Sequence, residues 1–510
     1  MATSTGRPRL IELLGSLSLA TDLATGQPMG HAIRTCLLSA RIAEELGCGE
    51  EKVRHVRHVA LLRFLGCTAD ASESARDVGG DDISFNRAMA DVLNGSMSQA
   101  AMTMVKSIGV GLPPIQRATL VARGLMDTRS TEVGLASHCE VATMLAVRLR
   151  LEVPVIEALG HAYERWDGGG FPDKLEGEEV PLEIRICAVA RDLDLAAQAR
   201  ENPTELLEAR KGKAYDPAVV DAVFALPETR VPEARWEALL ETEPDPVQRL
   251  DDLDETLEVM ADFADLKSPW TRGHSREVAL LAESAGKFAG FEDSQTENLR
   301  QAALVHDLGR VGVENGIWDK AGELSLDERE KVRLHTYLTQ RVLSRCEALG
   351  SLATIAARHH EHVDGSGYHS QIDGRNLSQT ELILAAADVY AALTSDRPHR
   401  SAYTPDEAEE ILLTEVDERH LDRKAATHVL AAARGESHPP IEENPRGLTD
   451  REVQVLRLIA REHTNRQMAK ELYISPKTVG RHVENIYAKI GVSTRAGAAV
   501  FAMENGLIGG

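Results

Sequence analysis

The chain repeats itself, and the repeat limits what it can fold into more than any other feature. Gly30-His31, followed by LLSARIAEELG, returns 243 positions later as Gly273-His274 followed by LLAESAGKFAG. The same displacement lays ALLRFLG (60–66) on ALVHDLG (303–309). Further along it shrinks to 197: YERWDGGGFP (163–172) falls on HEHVDGSGYH (360–369), and His138 on His335. The shortfall of 46 residues implies that the first copy carries an insertion between Cys67 and His138. Two related domains in tandem follow, as expected for 510 residues, too many for a single core. In VALLAESAGKFAGF and ELILAAADVYAAL apolar residues recur at three and four, while strand-like alternation is scarce, so both copies read as α-helical bundles.

Composition narrows the class. With 27% charged, 43% hydrophobic and 4% aromatic residues the chain reads as folded, helix-rich and soluble. No leader pattern opens it and no run approaches ~18 apolar residues, so the expectation is a cytoplasmic protein with no membrane partner. The six cysteines form no CxxC pair and no metal-ligand spacing. A net charge of −23 argues against nucleic-acid binding by the whole surface. The charge is uneven: residues 441–510 hold ten Lys and Arg against eight Asp and Glu, a net +2 on a body of −25. A locally basic tail on an acidic body is the asymmetry of a DNA-binding appendage. Two Pro-rich stretches, 226–248 and 435–447, read as linkers, and give domains at 1–228, 250–434 and 446–510.

In the tail, Leu448-Thr-Asp-Arg-Glu opens a helix with a Thr or Asp cap, and VQVLRLIA supplies an apolar stripe. Met468, Ala469 and Leu472 share the next helix. Ser475 caps a third, Pro476 sits at its first position, and Val479, Val483 and Ile486 recur on its buried face. The other face carries Lys477, Thr478, Arg481, His482 and Asn485, the polar set that a helix in the major groove needs. LTDREVQVLRLIA, TNRQMAKELYIS and PKTVGRHVENIYAKIGVSTR closely resemble the LuxR/GerE family of helix-turn-helix domains. The resemblance implies a four-helix DNA-binding domain that acts on double-stranded DNA as a homodimer, with the last helix, about Thr494–Asn505, as the dimer surface. Gly480 inside the reading helix costs about 1 kcal/mol of helix propensity relative to Ala.

The second copy holds a dense set of metal-ligand types. His274, His306, Asp307, His335, His359, His360 and Asp388 fall within about 115 residues, all in segments that read as helical. One such histidine is ordinarily a hydrogen-bonded core or surface residue. Seven in this order suit iron, manganese or zinc better than calcium or magnesium. They exceed the needs of one ion, and two ions bridged by Asp307 would hold a hydroxide for attack on a phosphodiester. The motifs HDLGRVGV (306–313), HHEHVDGSGYH (359–369) and AADVYAALTSDRPHR (386–400) resemble the HD superfamily, and within it the HD-GYP branch. The resemblance implies those seven ligands, two divalent metal ions (iron or manganese), catalytic roles for Asp307 and Arg310, and a phosphohydrolase acting on cyclic di-GMP. A nucleotide or cyclic dinucleotide would meet Arg310, Asp364, Gly365, Gly367, Tyr368 and Arg397. Three positions depart from the branch. Arg310 replaces a lysine and His369 replaces the GYP proline. Trp270, one turn before His274, stands where some members place a glutamate for a third metal.

The first copy keeps His31 and His138 but has Arg63-Phe64, Ala162-Tyr163 and Arg191 at the other ligand positions. Two of seven ligands hold no metal pair, so this copy reads as non-catalytic, serving packing, dimerisation or ligand sensing. The expected fold is therefore all-α: two tandem helical HD-type domains followed by a small four-helix LuxR-type domain. The expected function is a DNA-binding transcription regulator coupled to a metal-dependent phosphohydrolase. A phosphodiesterase with an accessory tail, and a regulator whose HD folds are inert dimer scaffolds, are the competing readings.

Overall fold

The computed structural model describes residues 8–227, 232–243, 253–435 and 444–508. Among them the regular structure is helical, and β pairing is confined to isolated bridges. The all-α class read from the sequence holds. The chain divides into two compact units, one of Met1–Leu253 with Glu314–Gly316, the other of Asp254–Val313 with Ile317–Gly510.

The repeat is visible helix by helix. The first unit runs Leu10–Ala24, His31–Glu45, Glu50–Leu62, Thr128–Arg148, Val153–Gly160 and Leu182–Ala199. The second unit answers with Leu253–Asp265, His274–Phe288, Asp293–Val305, Leu326–Leu343, Gly350–Ala357 and Gln379–Thr394. Between Cys67 and His138 the first unit inserts four short helices, Ala71–Val78, Asp82–Ala90, Met97–Ser107 and Pro114–Met126. The second unit has no counterpart to them, which accounts for the change of displacement.

Each copy turns sharply before its first conserved histidine. Gly30 and Gly273 have φ of 91° and 80°, a left-handed conformation that glycine adopts without steric cost, and the next residue, His31 or His274, opens a helix. Behind each turn lies a buried carboxylate. Asp22 accepts from the backbone N–H of Gly30 (2.7 Å) and Ala32 (3.1 Å), and Asp265 from N–H and Oγ of Ser275 (2.9 and 2.8 Å). An acceptor at these otherwise unsatisfied N–H groups fixes where the helix starts. The core of the second unit comes from the inward faces of these helices, with Leu257, Phe263, Val278, Leu299, Val342, Leu352 and Leu384 fully buried. Each such side chain contributes about 1.5–3 kcal/mol of transfer free energy.

The stretch 226–248 is not simply a linker. Its described part contains the helix Trp236–Glu241, and a Cβ built on Gly15 would lie 2.9 Å from both Trp236 and Leu239. The bare glycine lets this short helix sit against the first helix of the chain. In the second linker, residues 436–443 lie outside the described residues.

The carboxy-terminal segment forms four helices, Asp450–Ala460, Asn465–Glu471, Pro476–Ile490 and Arg495–Glu504. Reciprocal caps open the first two, Thr449 with Glu452 and Thr464 with Gln467. Ser475 caps the third through the N–H of Thr478, with Pro476 at its first position. Val479 and Ile486 are buried on that helix, and Val483 only half so.

Candidate metal centre and nucleic-acid interface

The seven expected ligands converge, but they do not all sit inside helices. His306 and Asp307 lie just past the end of Asp293–Val305, and His359 and His360 just past Gly350–Ala357, both in turns. A helix would point neighbouring side chains about 100° apart. Ending it lets consecutive residues face the same centre. His274 is the first residue of its helix, and His335 and Asp388 lie within theirs.

Asp307 divides the set in two. Its Oδ2 faces Nε2 of His306 (3.5 Å) and of His274 (3.9 Å), while its Oδ1 faces Nε2 of His335 (3.4 Å) and of His359 (3.7 Å). Asp388 closes the first group, with Oδ1 3.0 Å from His274 and 3.6 Å from His306. His360 joins His335 and His359 in the second group, whose ligand atoms all lie within 4.8 Å of one another. Its Nδ1 is 3.9 Å from Oδ2 of Asp388.

The tautomers favour a cation. Nδ1 of His306, His335 and His359 each donates to the carbonyl oxygen three residues earlier (2.7, 2.6 and 2.6 Å), so that in the neutral ring Nε2 keeps the lone pair. The Nε2 atoms of His335 and His359 are then 3.2 Å apart with no proton between them. Nε2 of His306 is fully buried and makes no hydrogen bond. Facing lone pairs and an orphaned ring nitrogen beside two carboxylates are the arrangement a metal ion satisfies.

Charge tells the same story. Burial pushes His335 down to about 3 and His274 to about 4, so both are neutral ligands at physiological pH. Burial opposes ionisation of Asp307 and Asp388, yet Arg310 and the surrounding imidazoles hold both well below the usual carboxylate range. His306 goes the other way: burial is outweighed by the two carboxylates, and its pKa rises to about 9. In the metal-free protein a proton on His306 occupies the place of a cation. A metal must displace it, so affinity should rise with pH until about 9, by up to ~10-fold per pH unit. Manganese titrations against a competing chelator at pH 6.5 and 8.5 test this, and equal affinities would refute the assignment.

Two guanidinium groups border the cluster. Arg310 pairs with Asp307 (2.7 Å) and lies 3.9 Å above the Trp318 ring. Arg397 donates to the carbonyl of Trp270 (2.9 Å), and burial, then the charge of Arg310, lowers its pKa to about 10. The Tyr368 ring packs 4.4 Å from His360. Gly367 makes this possible, because a Cβ there would lie 2.5–2.7 Å from backbone atoms of residues 360–362. Asp364 and Gly365 stand apart: Asp364 is exposed and accepts from the N–H of Ser366 (2.9 Å), and Gly365 takes φ +81° in the same turn. His369 is exposed and bonded to Thr336 (3.0 Å).

Three supporting residues escaped the sequence reading. Glu361, buried, accepts from the N–H groups of Ser370 and Ile372 (3.1 and 2.9 Å) and holds the loop, as Glu164 does through residues 173–175 in the first copy. Asp265 braces the turn before His274. Thr339 donates to the carbonyl of His306 (3.0 Å) and accepts from the N–H of Gly309 (2.8 Å). Glu164 and Glu361 obey the 197-residue displacement, and Asp22 and Asp265 the 243-residue one. Extending the internal comparison beyond ligand types would have found Glu361 and Asp265; Thr339 falls on Ala142.

The first copy's pocket is plugged. Arg63 donates to the carbonyl of Ala162 (2.9 Å), and Arg191, fully buried, pairs with Asp192 (2.6 Å) and bonds the carbonyl of Ala90. Both guanidinium groups flank the Phe64 ring at 5.5 and 5.6 Å. Leu93 and Phe64 pack on Ala162, Cys139 and Tyr163, and Asn94 bonds Asp192. Ala90, Leu93 and Asn94 belong to the insertion, which thus seals the space a metal would need. His31 pairs with Asp194 (2.5 Å), and His138 with Asp70 and the Tyr163 hydroxyl (2.7 and 2.8 Å), as ordinary core histidines do.

On the reading helix Lys477, Thr478, Arg481 and Asn485 are exposed and His482 half-buried, so the face expected to meet DNA is open. The Thr478 hydroxyl is engaged by Ser475 (2.8 Å). No helix among the described residues is long and apolar enough to cross a membrane.

Comparison with known proteins agrees with this geometry. The HD domain family matches residues 100–219 and 258–425, and the luxR family of bacterial regulatory proteins matches 446–502. A 3′3′-cGAMP-specific phosphodiesterase of Vibrio cholerae serotype O1 is 30% identical over 429 residues, 80% of this chain and 92% of that relative. A cyclic di-GMP phosphodiesterase of Thermotoga maritima is 32% identical over 31% of this chain and 44% of its own length. The crystal structure of a cyclic GMP-AMP specific phosphodiesterase from V. cholerae superposes with a TM-score of 0.57 at 27% identity, covering 84% of this chain and 98% of that one. The chain belongs to the HD domain family and ends in a DNA-binding domain of the luxR family of bacterial regulatory proteins.

Proposed function

We propose that the protein is a DNA-binding transcription regulator whose second HD domain is a metal-dependent phosphohydrolase of cyclic dinucleotides. The observation that carries this reading is the division of six imidazole and carboxylate donors into two groups by the two oxygens of Asp307. His274, His306 and Asp388 would hold one divalent ion, and His335, His359 and His360 the other, with Asp307 between them. Imidazole and carboxylate together suit a divalent transition metal, with iron or manganese our assignment. Bound there, the ions would lower the pKa of a shared water and neutralise phosphate charge.

The chain's own groups have definite tasks. Arg310 and Arg397 present guanidinium groups to the phosphate oxygens, and Tyr368 gives a ring face beside the second group of ligands. Asp364, Gly365 and Gly367 shape the loop that carries Tyr368. The reaction adds water across one phosphodiester, breaking the P–O3′ bond and returning a proton to the leaving oxygen. We place the domains at 1–228, 250–434 and 446–510. The protein works as a cytoplasmic homodimer, its first HD copy a scaffold with a filled pocket.

Metal analysis of the purified chain, followed by incubation with cyclic di-GMP and with 3′3′-cGAMP, tests the reading. Two equivalents of metal and a linear dinucleotide product are expected. Metal-free protein that neither binds nor cleaves either compound after reconstitution with iron or manganese would overturn it. For the DNA-binding half, Lys477→Ala or Arg481→Ala should weaken binding by about 1–3 kcal/mol if the side chain reads a guanine edge. Unchanged binding by both would mean that another face meets DNA.

A further inference from the structure

Two of the contacts between the DNA-binding domain and the HD domain within the second unit lie beside residues of the metal centre. Arg272, two residues before His274, is buried and donates to the carbonyl of Ala460 (2.5 Å), the last residue of the helix Asp450–Ala460. Its second nitrogen pairs with Glu462 (3.0 Å). A guanidinium at the carbonyl end of a helix satisfies orphaned acceptors and matches the negative end of the dipole. The second point pairs Asp396 with Arg461 (3.5 Å), and Asp396 precedes Arg397.

The last helix is buried along its length. Ala496 to Met503 are eight consecutive buried residues of Arg495–Glu504, and eight residues pass round every face of a helix. The helices Asp450–Ala460 and Pro476–Ile490 pack against it. Beyond the end of the last helix, Gly273 is so close that an added Cβ would stand 3.4 Å from the carbonyl of Ile508. The reading face meanwhile remains open at Lys477, Arg481 and Asn485.

One hydrogen bond links both contacts to the substrate position. Arg397 donates to the carbonyl of Trp270, two residues before Arg272 and at the edge of the same turn. A phosphate that takes this guanidinium would compete with the bond that ties the segment of Arg272 to the segment of Asp396. We propose that Arg272, Gly273 and Asp396 form a seat for the chain's own DNA-binding domain, and that a cyclic dinucleotide entering the metal centre releases it. Release uncovers the helix Arg495–Glu504 for pairing with a second copy. While seated, one domain can touch DNA but two cannot pair through this helix. The release step rests on the phosphohydrolase reading above; the seat does not.

Hydrogen exchange on the full-length, metal-loaded protein tests both parts. Glu462→Arg lies outside the metal centre and sets like charges against each other at Arg272. The amides of 496–503 should exchange on the order of tenfold faster in this variant. In the wild type, a phosphorothioate analogue of cyclic di-GMP should speed the same amides while protecting 359–369. Unchanged exchange of 496–503 in Glu462→Arg overturns the seat. Protection at 359–369 without change at 496–503 overturns the release. An analogue that protects nothing overturns the phosphohydrolase reading and the release with it, while the variant still decides the seat.

Discussion

Asp307→Asn should leave the second HD domain folded but unable to keep its metal pair, with hydrolysis reduced by well over ~100-fold, since disturbing even the partners behind a ligand costs 10–100-fold. The substitution preserves shape and an oxygen for Arg310, which is 2.7 Å away. What it removes is the second carboxylate oxygen and the negative charge. Its two oxygens face His274 with His306 and His335 with His359. The charge loss also removes the first of the influences that raise the His306 pKa, so it should fall from about 9. Metal content and dinucleotide cleavage measured on one preparation check the prediction. Two retained metals with a rate within tenfold of the parent would remove Asp307 from the bridging position.

Gly309→Ala should be as damaging by a different route. A Cβ there would lie 2.0 Å from the carbonyl oxygen of His335 and 2.5 Å from the N–H of Thr339, both backbone atoms of Leu326–Leu343. No side-chain rotation relieves such a clash, so the helix bearing His335 must move and the Thr339 bonds to Gly309 and His306 must stretch. Overpacking of this kind costs about 3 kcal/mol, or roughly 6–12 °C in the melting of a unit this size. Metal should be lost along with stability. The first copy supplies the control, because Gly66 meets the carbonyl of His138 at 1.9 Å in the same way. Gly66→Ala should lower stability by a similar amount and leave metal content untouched. A Gly309→Ala protein with full metal occupancy would show that the two segments separate more easily than their contact implies.

The comparison of these glycines also indicates how far the sequence could be read. The repeat, the all-helical class, the insertion and the seven imidazole and carboxylate side chains that converge were legible, because each depends on spacing and residue type along the chain. The turns at His306-Asp307 and His359-His360 were not, since apolar periodicity runs up to both and nothing local marks the stop. Asp265, Glu361 and Thr339 act through backbone groups 9 to 33 residues away, and patterning in short windows does not register such pairs. The plug in the first copy was hidden for a stronger reason. Arg191 reaches the carbonyl of Ala90 across 101 residues, and an accepting carbonyl is present at every position of every sequence. Asp364 shows the reverse case: its place in a motif suggested contact with substrate, and the structure adds that its carboxylate accepts from the N–H of Ser366 in a surface turn.

The arginines of the first copy bear on how the molecule responds to its surroundings. Arg63 and Arg191 are cations bonded covalently to the chain, so no chelator removes them and no scarcity dilutes them. On the reading proposed above the second unit would take its cations from solution, and would gain RT ln(1 + [M]/Kd) of stability for each one bound. The two halves would then differ in their dealings with the medium: one with a fixed melting behaviour, the other with a melting behaviour set by the supply of metal.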